Sequence, residues 1–262
     1  MIRIGALISG SGTNLTAVIR ACEEGKIDGR VVFAGADNPS AAGLDHAKAA
    51  GIPTFFVNYS EIIDVYRNAP DTLLLPDDYD AGDVASKVAF LTENTPYERI
   101  KEFLLTRAVA EARLLEAMAA YPFDLLILAG FMRNLSPYFI DRVNVAADQL
   151  RIMNIHPALL PAFPGLDGYG DTFRYGCKVA GCTVHFIDYG EDTGPIIGQR
   201  AFDILPDDTL DSVKEKGLRR EWALYPECIQ LFAENRLKVV RRSYSRSGGG
   251  GFERTVVEIL PA

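Results

Sequence analysis

The residues best suited to chemistry lie in Asn154-Ile155-His156-Pro157. Side chains two apart in a strand share a face, so Asn154 and His156 point the same way. A strand read over residues 150–155 ends there, and open parallel sheets hold ligands beyond the carboxyl ends of their strands. An amide and an imidazole at that place can polarise a carbonyl and stabilise an oxyanion. The second ingredient is acidic: Asp188, Glu191 and Asp192 crowd the loop before Thr193-Gly194-Pro195. A carboxylate beside a histidine raises the imidazole pKa or accepts its proton. Residue types leave open which of the three acids does so, and solvated loop charge is the alternative for each. His46 falls among small residues of a helical stretch and reads as a surface residue; His185 lies in the strand just before the acidic loop.

A third feature is Ser9-Gly10-Ser11-Gly12-Thr13-Asn14, between a strand and a helix. Backbone N–H groups and the positive end of a helix would there surround an anion. Leu15 stands where a dinucleotide fingerprint has its third glycine, and Thr13-Asn14 replaces the Lys-Ser/Thr of a nucleotide P-loop. A single phosphate suits this loop better than a pyrophosphate. Asp37, at the end of the second strand, is a rival clue, because a ribose-binding acid would sit there in a dinucleotide fold. Zinc spacing is absent: Cys177 and Cys182 have no matching second pair. No Gly-x-Ser-x-Gly elbow ends a strand. Trp222 and the aromatic residues at helical spacing read as core.

The elements that must position these groups alternate. Strands are read over residues 2–8, 31–36, 53–57, 124–129 and 150–155, with helices over 15–24, 41–50 and 97–120. That order implies a parallel sheet with helices on its faces. Residues 178–187 alternate like a strand, 196–204 form another, and a long helix spans 209–235, capped by Asp208 or Thr209. Residues 159–177 read as a loop rich in Pro, Gly and aromatic residues, and 237–260 as a hairpin with glycines at its tip. The pattern breaks from Tyr59 to about Tyr97, where only a short helix near 84–91 is suggested. The expectation is one domain over residues 1–262, α/β with an open, mostly parallel, doubly wound sheet. It carries an insertion at 59–97 and a C-terminal hairpin extension at 237–260.

Composition is that of an ordinary globular enzyme, with 262 residues, 48% hydrophobic and 24% charged. The net charge of -8 argues against a nucleic-acid-binding protein. No apolar run approaches a membrane span, and residues 1–12 lack the apolar core and cleavage site of a signal peptide. Four cysteines are too few for a disulfide scaffold, which points to a reducing cytoplasm.

Several segments together resemble the phosphoribosylglycinamide formyltransferases, within the folate-dependent formyltransferase family. They are ISGSGTNL (8–15), DNPSAAGLDHAKAAG (37–51), LAGFMRNLSP (128–137), NIHPALLPAFPGL (154–166) and GCTVHFIDYGEDTGPIIGQ (181–199), followed by Glu221 and Tyr225-Pro226. They fall in the family's order and span the chain to about Val240. The resemblance implies a Rossmann-like fold and formyl transfer from 10-formyltetrahydrofolate, as co-substrate, to the amine of glycinamide ribonucleotide in purine biosynthesis. No metal is expected. It implies Asn154, His156 and Asp192 as catalytic, and Gly12, Thr13 and Asn14 as the phosphate loop. Glu221 would hold the glycinamide end. Met132, Arg133 and Leu135, with the loop beginning Ile187-Asp188, would form the folate pocket. Asn154 would donate to the oxyanion, and Asp192 would keep His156 protonated and relay a proton. The partners are then the two small-molecule substrates, with neither nucleic acid nor membrane, in a monomer or homodimer.

Three features depart from the family pattern. The 59–97 stretch is longer than the family's. After Pro164-Gly165-Leu166, the family's His-containing segment is replaced by Asp167-Gly168-Tyr169-Gly170-Asp171. Asn134 stands where the family prefers an aliphatic residue. The alternatives are a formyltetrahydrofolate hydrolase, formyl transfer to another phosphorylated or sugar amine, and a non-catalytic nucleotide-binding module using Asp37.

Overall fold

The computed structural model describes residues 1–89, 95–245 and 250–261. Five strands run parallel: β1 (Ile2–Ile8), β2 (Gly29–Ala36), β3 (Thr54–Phe56), β4 (Leu125–Leu128) and β5 (Ile152–His156). Two antiparallel strands, β6 (Val179–Phe186) and β7 (Ile196–Asp203), complete a seven-stranded sheet of order β3-β2-β1-β4-β5-β6-β7. Beside it lies the hairpin β8 (Leu237–Ser245) and β9 (Gly251–Ile259).

Alternation within the strands explains the double winding. Ile4, Ala6 and Ile8 of β1 and Leu125 and Ile127 of β4 pack with Leu15, Val18 and Tyr225 on one face. Leu7, Leu126 and Leu128 face the other way, against Phe33, Val109, Leu114 and Phe139. The first face is covered by α1 (Thr13–Glu23), α2 (Gly43–Ala49) and α8 (Leu210–Ala233). The second is covered by α3 (Tyr59–Asn68), α5 (Tyr97–Ala119) and α6 (Pro137–Val143). Strands covered on both faces lose their polar side, as β4 shows with four buried residues in a row. The same reason corrects the expected alternation of β6, which is buried from Ala180 to Phe186.

The strand order reverses between β1 and β4, which places a crevice beyond their carboxyl ends. Two bonds tie that crevice together: Ser9 N–H donates to the Gly130 carbonyl at 3.0 Å, and Met132 N–H to Ser9 Oγ at 2.8 Å.

The segment that resisted reading has structure of its own. Asn58 caps α3, and Asp80 caps α4 (Ala81–Lys87) by accepting from Gly82 and Asp83 N–H. The helix suggested near 84–91 thus starts three residues earlier and ends at Lys87; Leu91 lies outside the described residues. The segment docks on α6: Arg142 pairs with Asp78 at 2.7 Å, and Lys87 bridges Asp83 and Asp141 at 2.8 and 3.0 Å. Past α4, Ala89 N–H donates to the Tyr189 carbonyl at 3.1 Å, and Tyr189 OH donates to Asp141. The expected loop at 159–177 contains a further helix, α7 (Gly168–Arg174), which two glycines concealed. In the hairpin, Leu237, Val239 and Val257 pack on the core beside α8; residues 248–249 of the glycine run lie outside the described residues. No helix among the described residues is long and apolar enough to cross a membrane.

Candidate active site

Antiparallel pairing of β5 with β6 sets Asn154 directly opposite His185 and His156 opposite Thr183. Asn154 Nδ2 lies 3.2 Å from His185 Nε2, and His185 Nδ1 lies 2.9 Å from the Phe186 carbonyl. A carbonyl can only accept, so Nδ1 carries the proton and Nε2 accepts from the Asn154 amide. Burial pushes the His185 pKa down, which fits this neutral tautomer. The 3.6 Å approach of His185 Nε2 to Asp192 Oδ1 is therefore not an ion pair. The Asn154 amide orientation is fixed, with its second N–H left to face the cleft. Sequence reasoning places His185 in the strand before the acidic loop but not beside Asn154; pairing the two strands antiparallel brings them together.

His156 is buried between two acceptors. Its Nε2 lies 2.8 Å from the Phe163 carbonyl and its Nδ1 3.2 Å from Asp192 Oδ2. Asp192 Oδ2 also accepts from Gly165 N–H at 2.8 Å. The choice among the three loop acids is thereby made by geometry. Asp188 accepts from Gly190 N–H and Thr193 Oγ1 and so braces its own loop. Glu191 accepts from Asn134 Nδ2 at 3.2 Å. Only Asp192 reaches the histidines. It does so with φ at 54°, in the left-handed region that few non-glycine residues adopt.

Two cavities adjoin here, sharing Gly130, Met132, Ile155, Pro157 and Leu166 as lining, and Asn154, His156 and Asp192 line the second of them. The first, of about 390 Å³, is lined by Ser9–Asn14, Pro157, Tyr169, Lys214 and Glu221. It holds all four residues expected to bind the amine substrate: Gly12, Thr13, Asn14 and Glu221. Gly12 caps α1 with φ at 71°, and its Cα packs on Gly43 so closely that a Cβ on Gly12 would lie 2.5 Å from the Gly43 Cα. The first-turn N–H groups of α1 consequently open onto the cavity. Among the described residues, Lys214 is its one cationic lining side chain. At the far end, the buried Glu221 carboxylate accepts from Asn14 Nδ2 and from Tyr169 OH, each at 2.7 Å. Burial raises the Glu221 pKa, and these two donors oppose the rise.

The second cavity, about 100 Å³, lies between residues 130–135 and the loop 187–192. Met132, Arg133, Leu135, Ile187 and Asp188, expected at the folate, all line it. Arg133, however, turns its guanidinium away: Nε meets Asp37 Oδ2 at 2.5 Å and the group lies over the Tyr59 ring. Asp37 is thus spent on an ion pair, which removes its reading as a ribose ligand. Walls of Phe131, Leu135, Leu166 and Ile187 with polar Asn134 and Asp188 suit a flat heterocycle with a polar edge. Trp222 departs from expectation: it is 40% exposed on the outer face of α8, where it lines a groove against α1.

A crevice at a sheet's switch point, with an oriented amide and a His–Asp pair in one cavity and a helix N-terminus in the adjoining one, suits an enzyme that transfers a carbonyl group from one small molecule to another. The chain belongs to the formyl transferase family, whose model matches residues 2–229. It is 32% identical to the phosphoribosylglycinamide formyltransferase of Bacillus subtilis over 88% of this chain and 94% of that one. It is 31% identical to the Escherichia coli enzyme of the same name, over 91% of this chain and 90% of that one. A glycinamide ribonucleotide transformylase 1 of known structure, from Symbiobacterium toebii, matches 100% of this chain and 95% of its own, with 36% identity and a TM-score of 0.70.

Proposed function

We propose that the chain transfers the formyl group of 10-formyltetrahydrofolate to the amine of glycinamide ribonucleotide, a step of purine biosynthesis. The observation that carries this reading is that Asn154, His156 and Asp192 line the second cavity, which shares Ile155 and Pro157 with the first. The folate supplies an activated formyl group from the cleft between residues 130–135 and 187–192. The α1 N-terminus and Lys214 hold the phosphate, and Glu221 holds the donor groups at the amine end. Asn154 N–H donates to the formyl oxygen, whose negative charge grows as the amine attacks. His156, between the Phe163 carbonyl and Asp192, places positive charge beside that oxygen when protonated. Asp192 takes up the proton that the attacking nitrogen must lose and returns it towards the leaving nitrogen. His185 keeps the Asn154 amide facing the right way.

The four free cysteines fit a cytoplasmic enzyme, acting as monomer or homodimer on small molecules alone. Incubation with 10-formyltetrahydrofolate, with and without glycinamide ribonucleotide, tests the reading by the absorbance of released tetrahydrofolate. Release that depends on the ribonucleotide is expected. Release without it would indicate the hydrolase, and none in either case would overturn the reading.

A further inference from the structure

Tyr169 belongs to one of the segments that depart from the family pattern, yet its hydroxyl donates to the Glu221 carboxylate. Its ring is buried with Ala180, Phe202 and Val213, and burial beside a carboxylate pushes the phenol pKa up, so the hydroxyl keeps its proton and donates. Room for the ring comes from Gly217, one turn before Glu221 on α8. A Cβ on Gly217 would lie 2.1 Å from Tyr169 Cζ and 2.4 Å from its hydroxyl oxygen. Glycine within a helix costs about 1 kcal/mol relative to alanine, so its presence there calls for a packing reason. Next to this carboxylate the Asn14 side-chain oxygen is buried without a hydrogen-bond partner. Glu221 and Asn14 together therefore form a patch of acceptors, suited to a ligand end that carries N–H or O–H donors.

We propose that Tyr169 is a positioning residue for the amine substrate: its hydroxyl fixes the Glu221 carboxylate as an acceptor, and Gly217 is the space that lets it. This inference rests on the assignment of the first cavity to the amine substrate. Without the phenol, Glu221 Oε1 faces a buried site with no donor, and the carboxyl is driven to hold a proton. It then presents a donor where the ligand also presents donors.

The test is steady-state kinetics against pH for wild type, Tyr169→Phe, Glu221→Gln, the double variant and Gly217→Ala. Tyr169→Phe should raise KM for glycinamide ribonucleotide about tenfold, the size expected for a lost hydrogen bond to a charged group. KM for the folate should not move. The acid limb of kcat/KM should shift to higher pH, because an unsupported Glu221 ionises later. In the Glu221→Gln background the tyrosine change should add nothing. Gly217→Ala, which displaces the ring without touching ligand, should reproduce the KM defect in a folded protein whose Tm falls by a few degrees, the cost of overpacking outweighing the gain in helix propensity. Equal losses for both substrates, or independent effects of Tyr169→Phe and Glu221→Gln, would overturn the proposal. Should wild type not use the ribonucleotide at all, the proposed function fails instead. The Tyr169–Glu221 link is then read by the infrared carboxyl band of Glu221, expected to titrate at higher pH in Tyr169→Phe.

Discussion

His156 has a backbone carbonyl on one ring nitrogen and the Asp192 carboxylate on the other, so Asp192 is the partner that a substitution can change. Asp192→Asn is the cleaner probe, because asparagine tolerates the left-handed backbone that Asp192 adopts at φ 54°. Loss of one such charge-stabilising group costs about 3–4 kcal/mol in comparable sites. Asp192→Asn and His156→Ala should therefore each lower kcat by roughly 100-fold to 1000-fold, with Tm nearly unchanged in Asp192→Asn and lowered, in a protein still folded, in His156→Ala, which leaves a small cavity and two unpaired acceptors. Near-normal turnover in either would remove it from the mechanism. Asn134 lends itself to a different experiment. Its bond to Glu191 spans the second cavity, whose volume of about 100 Å³ is small for a folate head group. With the folate placed there, as proposed, the two loops would part on binding, and Asn134→Leu removes a bond that parting would break. KM for the folate should fall by a few-fold, within the roughly 0.5–1.5 kcal/mol of a neutral hydrogen bond; a rise would show that the bond helps to build the site.

At the scale of elements, the junction of α5 and α6 carries a titration. Glu111 of α5 is fully buried and accepts from both the N–H and the hydroxyl of Ser136, the N-cap of α6. Burial outweighs these donors and raises its pKa from 4.5 to about 7. The folded state thus keeps a proton that the unfolded chain has already released. Stability from this group is complete below 4.5 and is lost as pH rises to about 7. The loss amounts to about 3 kcal/mol at 1.36 kcal/mol per pKa unit. Urea midpoints should fall between pH 5 and 8 in wild type and do so less steeply in Glu111→Gln. Equal slopes would place the titrating group elsewhere.

The strands β1, β4 and β5 and the Asn154–His156 pair were legible because each rests on local alternation and on residue type. The choice of Asp192 over Asp188 and Glu191 was not, since it depends on which side chain β6 and its loop carry to β5. Helix α7 escaped because a seven-residue helix with glycines at its first and third positions has no periodicity to display. Trp222 was misplaced because helical spacing says which residues share a face, not which face is covered.

Across the whole molecule, a backbone bond links the segment before α5 to the loop of the reacting centre. Ala89 N–H meets the carbonyl of Tyr189, three residues before Asp192, while Lys87 and Tyr189 share Asp141 as partner. Lys87→Met should leave Tm within a few degrees, since exposed ion pairs contribute about 0–1 kcal/mol. Amides of residues 189–192 should nevertheless exchange faster with deuterium. Unchanged exchange would mean that the segment lies beside the loop without bracing it. The contact between Gly12 and Gly43 has a consequence of another kind. A Cβ on either would come within 2.5 or 2.7 Å of the other's Cα, so the two positions share one space. Neither can drift alone over generations, whatever the cavity holds. A glycine that never varies at position 12 among descendants of this chain would record the pressure of helix α2 at its back as much as any demand from a phosphate in front.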